Sequence, residues 1–202
     1  MIAIIDYGVG NLFSLVSSLK AVGADAVITS EAEVIKNADK LILPGVGAFG
    51  DAAEKLKKSG LFEVVKVEAK NGKPLLGICL GMQLLFEKSY EYGVHEGLGL
   101  IDGNVVPMVG SLPENLKIPH IGWNSLHFKN QSPIFKYLND GDCVYFVHSF
   151  YAETDEKNLI ATTEYGKEIT AAVGKGNIYG CQFHPEKSGN VGLNILKAFC
   201  ER

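Results

Sequence analysis

The chain has 202 residues, 47% of them hydrophobic, which is enough apolar material to bury a core without disulfides or a metal. Nineteen Lys and Arg against twenty-three Asp and Glu give a formal charge of −4, which leaves no basic excess for nucleic acid or an anionic membrane. The apolar run 1–5 has no cationic lead and is cut at Asp6, and the longest apolar stretch, 74–86, is too short for a bilayer, so a soluble, cytoplasmic protein is expected. Cys79, Cys143, Cys181 and Cys200 lie far apart with no Cys-x-x-Cys pair, which argues against zinc and against a disulfide framework; reduced thiols are expected.

In chain order, short apolar runs alternate with amphipathic stretches: 2–6, 11–22, 26–29, 41–43, 56–70, 74–79 and 80–88. That rhythm predicts an α/β fold with a mostly parallel, buried central sheet flanked by crossover helices. From Leu98 onwards the pattern changes. Runs at 105–109, 122–128, 143–151, 160–164, 169–173 and 178–183 read as strands separated by turn residues such as Lys175-Gly176-Asn177, so antiparallel strands are expected in the C-terminal half. A last helix over 189–201 follows Ser188, a suitable cap, with Val191, Leu193, Ile195, Leu196 and Phe199 roughly on one face. No linker, repeat or low-complexity tract divides the chain, so one domain over 1–202 is expected.

Cys79 stands at the centre of Gly77-Ile78-Cys79-Leu80-Gly81, between an apolar strand and a helix-forming run. This is the elbow pattern of α/β hydrolytic sites with sulfur in place of oxygen. A sharp turn lifts the central side chain above the sheet, and flanking glycines remove Cβ atoms that would clash there. Backbone N–H groups of the following helix favour a thiolate and suit an oxyanion, with the Leu80 N–H first in line. The alternative, a small apolar core cysteine, holds for the other three, which lack the glycine frame.

A thiol nucleophile needs a base and a group that orients the base. His95, His120 and His127 have polar, loop-like or strand-edge surroundings and read as surface or packing residues. His184 differs, because Gln182-Phe183-His184-Pro185-Glu186 follows an apolar strand, and residues two apart in extended chain face the same side. Glu186 is therefore expected beside His184, with Pro185 restricting the chain between them. Cys79, His184 and Glu186 then read as nucleophile, general acid and base, and orienting carboxylate.

Gly45-Val46-Gly47-Ala48-Phe49-Gly50 matches Gly-x-Gly-x-x-Gly after a strand, but Pro44 interposes a turn, and the next strand offers no carboxylate for a ribose, so dinucleotide binding is rejected. A better use of Gly45, Val46 and Gly47 is to bring a backbone N–H to the reacting carbonyl opposite Leu80; such donors are worth roughly 3 to 4 kcal/mol each in acyl transfer. The turn Asp6-Tyr7-Gly8-Val9-Gly10-Asn11 lies on the same sheet edge if the sheet is parallel, with Asn11 placed to cap the next helix.

Taken together, these blocks resemble the class I, or triad, glutamine amidotransferases, whose fold is flavodoxin-like. Within them, Asp6 to Asn11, Leu43 to Gly50, Gly77 to Phe86, Gly122-Trp123-Asn124, Tyr145 to Ser149 and His184 to Ser188 are similar, in order and over nearly the whole chain, to the glutaminase subunits of imidazole glycerol phosphate synthase. The resemblance implies hydrolysis of L-glutamine to glutamate and ammonia through a thioester on Cys79, without cofactor or metal. It implies delivery of the ammonia to a separate cyclase subunit, a (β/α)8 barrel, as a heterodimer active in histidine biosynthesis. Gln83 and Glu91 would bind the substrate's amino-acid end, the backbone at Ser149 and Phe150 its carboxylate, and Asn11 and Lys187 would lie at the subunit interface. Val46 stands where many relatives have glycine and tolerates positive φ poorly, so a second oxyanion donor that is not preformed is expected. Phe150 stands where relatives often have Tyr. Glutaminases of other pathways share the triad, but the Asp6 turn and the Gly122-Trp123-Asn124 block weigh against them. An idle regulatory subunit would have no need of the triad, and nothing identifies the open cleft of a cysteine peptidase.

Overall fold

The computed structural model describes residues 1–113 and 116–202. Its first half runs β1 (Ile2–Ile5), α1 (Leu12–Ala21), β2 (Ala26–Thr29), α2 (Ala32–Asn37), β3 (Lys40–Leu43), α3 (Phe49–Lys58), α4 (Leu61–Lys70), β4 (Leu75–Ile78) and α5 (Leu80–Gln83). Strands β5 (Lys88–Ser89), β6 (His95–Glu96), β7 (Asn104–Pro107), β8 (His120–Ser125), β9 (His127–Phe128), β10 (Cys143–His148), β11 (Phe150–Glu153), β12 (Leu159–Glu164), β13 (Glu168–Lys175) and β14 (Ile178–Cys181) precede α6 (Gly189–Cys200). The main sheet has eight strands in the order β2-β1-β3-β4-β14-β13-β12-β9, parallel from β2 to β14 and antiparallel beyond.

Strands β1, β4 and β14 are buried at every position, because helices cover both faces of the sheet. Alternation along the strands sorts the core into two layers. Ala3, Ile5, Leu41, Leu43 and Leu75 pack with Ile35 of α2, Phe49 and Leu56 of α3, and Phe62 and Val65 of α4. Ile2, Ile4, Ile42, Leu76 and Ile78 pack on the other side with Leu15 and Leu19 of α1 and Ile195, Leu196 and Phe199 of α6.

Several expectations need correction. The C-terminal half is antiparallel as expected except at β7, which lies parallel to β5, and at β14, which lies parallel to β4 in the register Cys181↔Ile78. Its carboxyl end therefore shares an edge with those of β1, β3 and β4. The amphipathic stretch 56–70 is broken: α3 starts at Phe49, and Gly60, at φ +75, turns the chain into α4. The helix expected over 80–88 is a single turn. Leu84, Leu85 and Phe86 give their carbonyls to the N–H groups of Leu98, Leu100, Ile101 and Gly99, at 2.8 to 3.0 Å, so segment 97–101 takes the bonds a longer helix would use. The runs 122–128 and 143–151 are each split between two sheets. At Ser149 the chain passes from β10, paired with β8, to β11, paired with β7 in a four-stranded sheet. Ser188 precedes α6 without capping it by side chain; its hydroxyl accepts from Tyr145 N–H at 3.0 Å and donates to His184 C=O at 2.6 Å. Among the described residues, no helix is long and apolar enough to cross a membrane.

Candidate active site

The parallel edge carries five turns, after β1, β2, β3, β4 and β14, and three of them build a cavity. Cys79 occupies the turn from β4 into α5 at φ +53, a conformation side chains rarely take, which points its sulfur away from the strand. The flanking glycines are required by contact: a Cβ on Gly77 would lie 2.7 Å from Gly81 O, and one on Gly81 only 1.8 Å from Leu43 O. The Cys79 side chain is mostly covered, at 7% exposure.

Strand β14 delivers His184 to the same edge. His184 Nδ1 lies 2.7 Å from Glu186 Oε1, with both side chains nearly fully buried. The extended spacing expected for this pair is not how it forms: Pro185–Lys187 makes a 3-10 turn that folds the carboxylate back onto the ring. Burial presses the imidazole towards its neutral form, but hydrogen bonding to the neighbouring Cys79 sulfur and to Glu186, with their charges, lifts it to about 9. Among the described residues Glu186 Oε2 is buried without a partner, and the carboxylate directs its other oxygen to His184. Cys181 is enclosed as well, and burial first, with Glu186 second, pushes its thiol well up, consistent with an inert core residue.

A cavity of about 400 Å³ opens over Cys79 and His184. Of the residues expected to contact substrate, Val46, Gly47, Leu80, Gln83, Glu91, Ser149 and Phe150 line it, as does Lys187. Gly45 does not; a Cβ there would meet Gly81 N at 2.8 Å and Tyr7 Oη at 2.9 Å, so its lack of side chain lets the loop after β3 press against the elbow. The positive φ in this loop falls on Gly47, at +96, and not on Val46. The loop is held by Tyr7, whose hydroxyl donates to Pro44 C=O at 2.8 Å; burial keeps that phenol protonated. Glu91 Oε2 accepts the N–H of Phe49, the first residue of α3, at 2.6 Å. Asn11 lies outside the cavity and caps α1 by accepting from Ser14 N–H at 3.5 Å. A larger cavity, about 600 Å³, lies between α3 and residues 91–96, but no cysteine borders it.

Two buried residues escaped the sequence reading. Gln182 Nε2 lies 3.8 Å from Cys79 Sγ. His148 borders the cavity, with Nδ1 donating to Phe150 C=O at 2.8 Å and Nε2 facing His120 Nδ1 at 3.0 Å. Gln182 was visible in principle, since the two-residue alternation used for Glu186 applies equally backwards from His184. Of the surface and packing alternatives, His120 takes the second: it is fully buried and stacks between Phe146 and Tyr165, with ring centroids 4.9 and 4.0 Å away. Among the described residues, no three His, Cys, Asp or Glu side chains are grouped to hold a metal ion.

A family model of glutamine amidotransferase class-I matches residues 3–202. The chain belongs to the class-I glutamine amidotransferases. Among relatives of this amidotransferase, the imidazole glycerol phosphate synthase subunit HisH of Caldanaerobacter subterraneus subsp. tengcongensis is 58% identical over 202 residues, covering 100% of this chain and 98% of that one. HisH of Lactococcus lactis subsp. lactis is 52% identical over 201 residues, covering 99% and 98%. At this likeness the amidotransferase is a member of the HisH family. The fold recurs at much lower identity: a solved glutamine amidotransferase structure superposes with a TM-score of 0.76 at 18% identity, covering 98% and 99% of the two chains. The structure of PurLQS from Thermotoga maritima gives 0.76 at 20% identity, covering 99% and 97%.

Proposed function

We propose that this chain hydrolyses L-glutamine to glutamate and ammonia in the cytoplasm and passes the ammonia to a separate cyclase subunit, a (β/α)8 barrel, with which it forms a heterodimeric imidazole glycerol phosphate synthase. The observation that carries the reading is the elbow cysteine facing a buried His184–Glu186 pair in one cavity.

In the first half-reaction the Cys79 proton passes to His184, and the sulfur attacks the side-chain amide carbon of glutamine. The oxyanion is met by the Leu80 N–H and by an N–H from the Gly45-Val46-Gly47 loop. His184 returns its proton to the amide nitrogen, the carbon–nitrogen bond breaks, and ammonia leaves a thioester. Water then attacks the thioester with His184 as base, releasing glutamate and restoring the thiol. Glu186 keeps the Nδ1 proton of His184 in place throughout, so that Nε2 is the nitrogen that exchanges protons. For the amino-acid end, Glu91 offers a carboxylate to the ammonium, and backbone N–H groups at Ser149 and Phe150 suit the carboxylate. Both N–H groups of the Gln83 amide are engaged, with Phe150 C=O at 3.2 Å and Gln182 Oε1 at 3.0 Å, which leaves its oxygen to accept from the substrate.

The cyclase would dock over the cavity mouth. Lys187 lies 5.9 Å over the Tyr145 ring, which meets Trp123 edge-on, and Trp123 is 56% exposed. Phe13, directly after Asn11 and Leu12, and Val46 in the loop after β3 are also exposed apolar groups. Docking, or glutamine itself, would set the Val46 peptide for the oxyanion. In the assembled synthase, Cys79→Ala should abolish glutamine-dependent synthesis and spare synthesis from added ammonium salt. Loss of both would make Cys79 structural and overturn the proposal. An isolated chain hydrolysing glutamine as fast as the complex would overturn the part assigned to docking.

A further inference from the structure

Gln182 is fully buried, two residues before His184, with its amide between Gln83 and the Cys79 sulfur. The two ends of a side-chain amide are alike in size, so the end that meets the sulfur must follow from the partners. The Phe150 carbonyl decides it. A carbonyl can only accept, and this one lies 3.2 Å from the Gln83 amide nitrogen and 2.8 Å from His148 Nδ1. Gln83 therefore turns its NH2 towards Phe150, and the second N–H of the same nitrogen points at Gln182, 3.0 Å away. Gln182 must answer with its oxygen, which leaves its own NH2 on the sulfur side, 3.8 Å from Sγ. The opposite orientation would set NH2 against NH2 at one end and oxygen against sulfur lone pairs at the other, among buried groups.

We propose that Gln182 is a further catalytic residue of this site: it donates an Nε2 hydrogen bond to Cys79 Sγ and so stabilises the negative charge left there when the thiol proton moves to His184. The inference rests on the reading of Cys79 as the nucleophile. In that step the S–H bond breaks, its electron pair stays on sulfur, and the proton joins His184 Nε2; no further reactant is needed. The same donor favours sulfur as leaving group when the thioester collapses, because charge then returns to it. Gln83 and the Phe150 carbonyl act as positioning groups that keep the amide turned the right way.

The test is alkylation of Cys79 by iodoacetamide across pH, measured on the full-length chain. Gln182→Met keeps the length of the side chain and removes the donor; Gln182→Glu keeps the oxygen that Gln83 addresses and puts a second oxygen on the sulfur. Gln182→Met should alkylate about tenfold more slowly at neutral pH, with the acidic limb of its rate profile moved about one pH higher, and Gln182→Glu should be slower still. A merely structural role predicts the reverse, since a loosened elbow exposes the sulfur and raises its reactivity at every pH. A Gln182→Met profile that superimposes on the parent or runs faster overturns the inference; if that variant does not fold, the Gln182→Glu profile decides in the same way. Glutamine hydrolysis surviving in Cys79→Ala would instead overturn the reading of the nucleophile, whatever Gln182 does.

Discussion

Alanine at Gly81 tests whether the elbow is held by backbone contact. Its Cβ would sit 1.8 Å from the carbonyl oxygen of Leu43 and 2.7 Å from the carbonyl carbon. A carbon needs about 3.3 Å from a carbonyl oxygen, so the first turn of α5 must retreat from β3 by about 1.5 Å. Both atoms that collide belong to fixed backbones, one of them next to Pro44, which Tyr7 holds at 2.8 Å, so no rotamer change relieves the contact. The retreat carries the Leu80 N–H and Cys79 with it, while His184, beyond the end of β14, stays in place. A misplacement of about 1 Å costs roughly 100-fold in rate, and overpacking of this kind costs about 1 to 3 kcal/mol, which lowers Tm by roughly 2 to 12 °C in a chain of this size. The assay is glutamate release by the assembled synthase, followed alongside thermal unfolding. Gly23→Ala is the control: Gly23 has positive φ, +78, and open space around its missing Cβ, so the substitution should cost about 1 to 2 kcal/mol of strain and leave turnover unchanged. Parental activity and Tm in Gly81→Ala, or an equal loss of activity in Gly23→Ala, would refute the contact argument.

Four other outcomes are expected. Burial holds His148 neutral and lowers it to about 3, so below about pH 6.5 only the unfolded chain takes up its proton. Stability should then fall by about 1.4 kcal/mol per pH, roughly 2 kcal/mol by pH 5, and His148→Gln should flatten that slope in denaturant titrations. His184 is raised, so its contribution is complete below about pH 6.5 and disappears as pH climbs through about 9; the difference in Tm between parent and His184→Ala should shrink over that interval. Gly192→Ala would bring a Cβ within 1.8 Å of Pro185 O, displacing the turn that carries Glu186, and should lower kcat for glutamine while ammonia-dependent synthesis persists. Glu91→Ala removes the acceptor of the Phe49 N–H and should both raise KM for glutamine and destabilise the start of α3 by about 1 kcal/mol, read by kinetics and by melting.

The features legible in the sequence were those whose geometry is local. The Gly77 and Gly81 frame around Cys79 needs only the turn itself, and the contacts found there are the ones the frame was expected to avoid. The His184–Glu186 pairing also survived, though a 3-10 turn forms it in place of an extended segment. Features set by distant partners were not legible. The direction of β14 depends on β4, about a hundred residues earlier in the chain, and the run 80–88 lost its helix to the N–H groups of segment 97–101, which no propensity within the run encodes. The contact between His120 and His148 is invisible in the sequence because the antiparallel register of β8 and β10 is what sets them opposite each other.

The change of sheet at Ser149 has a mechanical consequence. The floor of the cavity, at the ends of β4 and β14, belongs to the eight-stranded ladder, whereas the wall at Val147 to Phe150 straddles two smaller ladders. Among the described residues, no strand pairing fixes the distance between floor and wall. A rotation at Ser149 would move the wall, opposed at the junction by the Met108 N–H to Ser149 C=O bond at 3.0 Å. Among the described residues, the ties that resist such a rotation include the His184 N–H to Tyr145 C=O bond at 3.0 Å and the Gln83 amide on Phe150 C=O at 3.2 Å. The pocket is thus stiff on its sulfur side and compliant on the other, so a ligand bulkier than glutamine should gain room by pushing against Ser149 and Phe150 and not against Cys79.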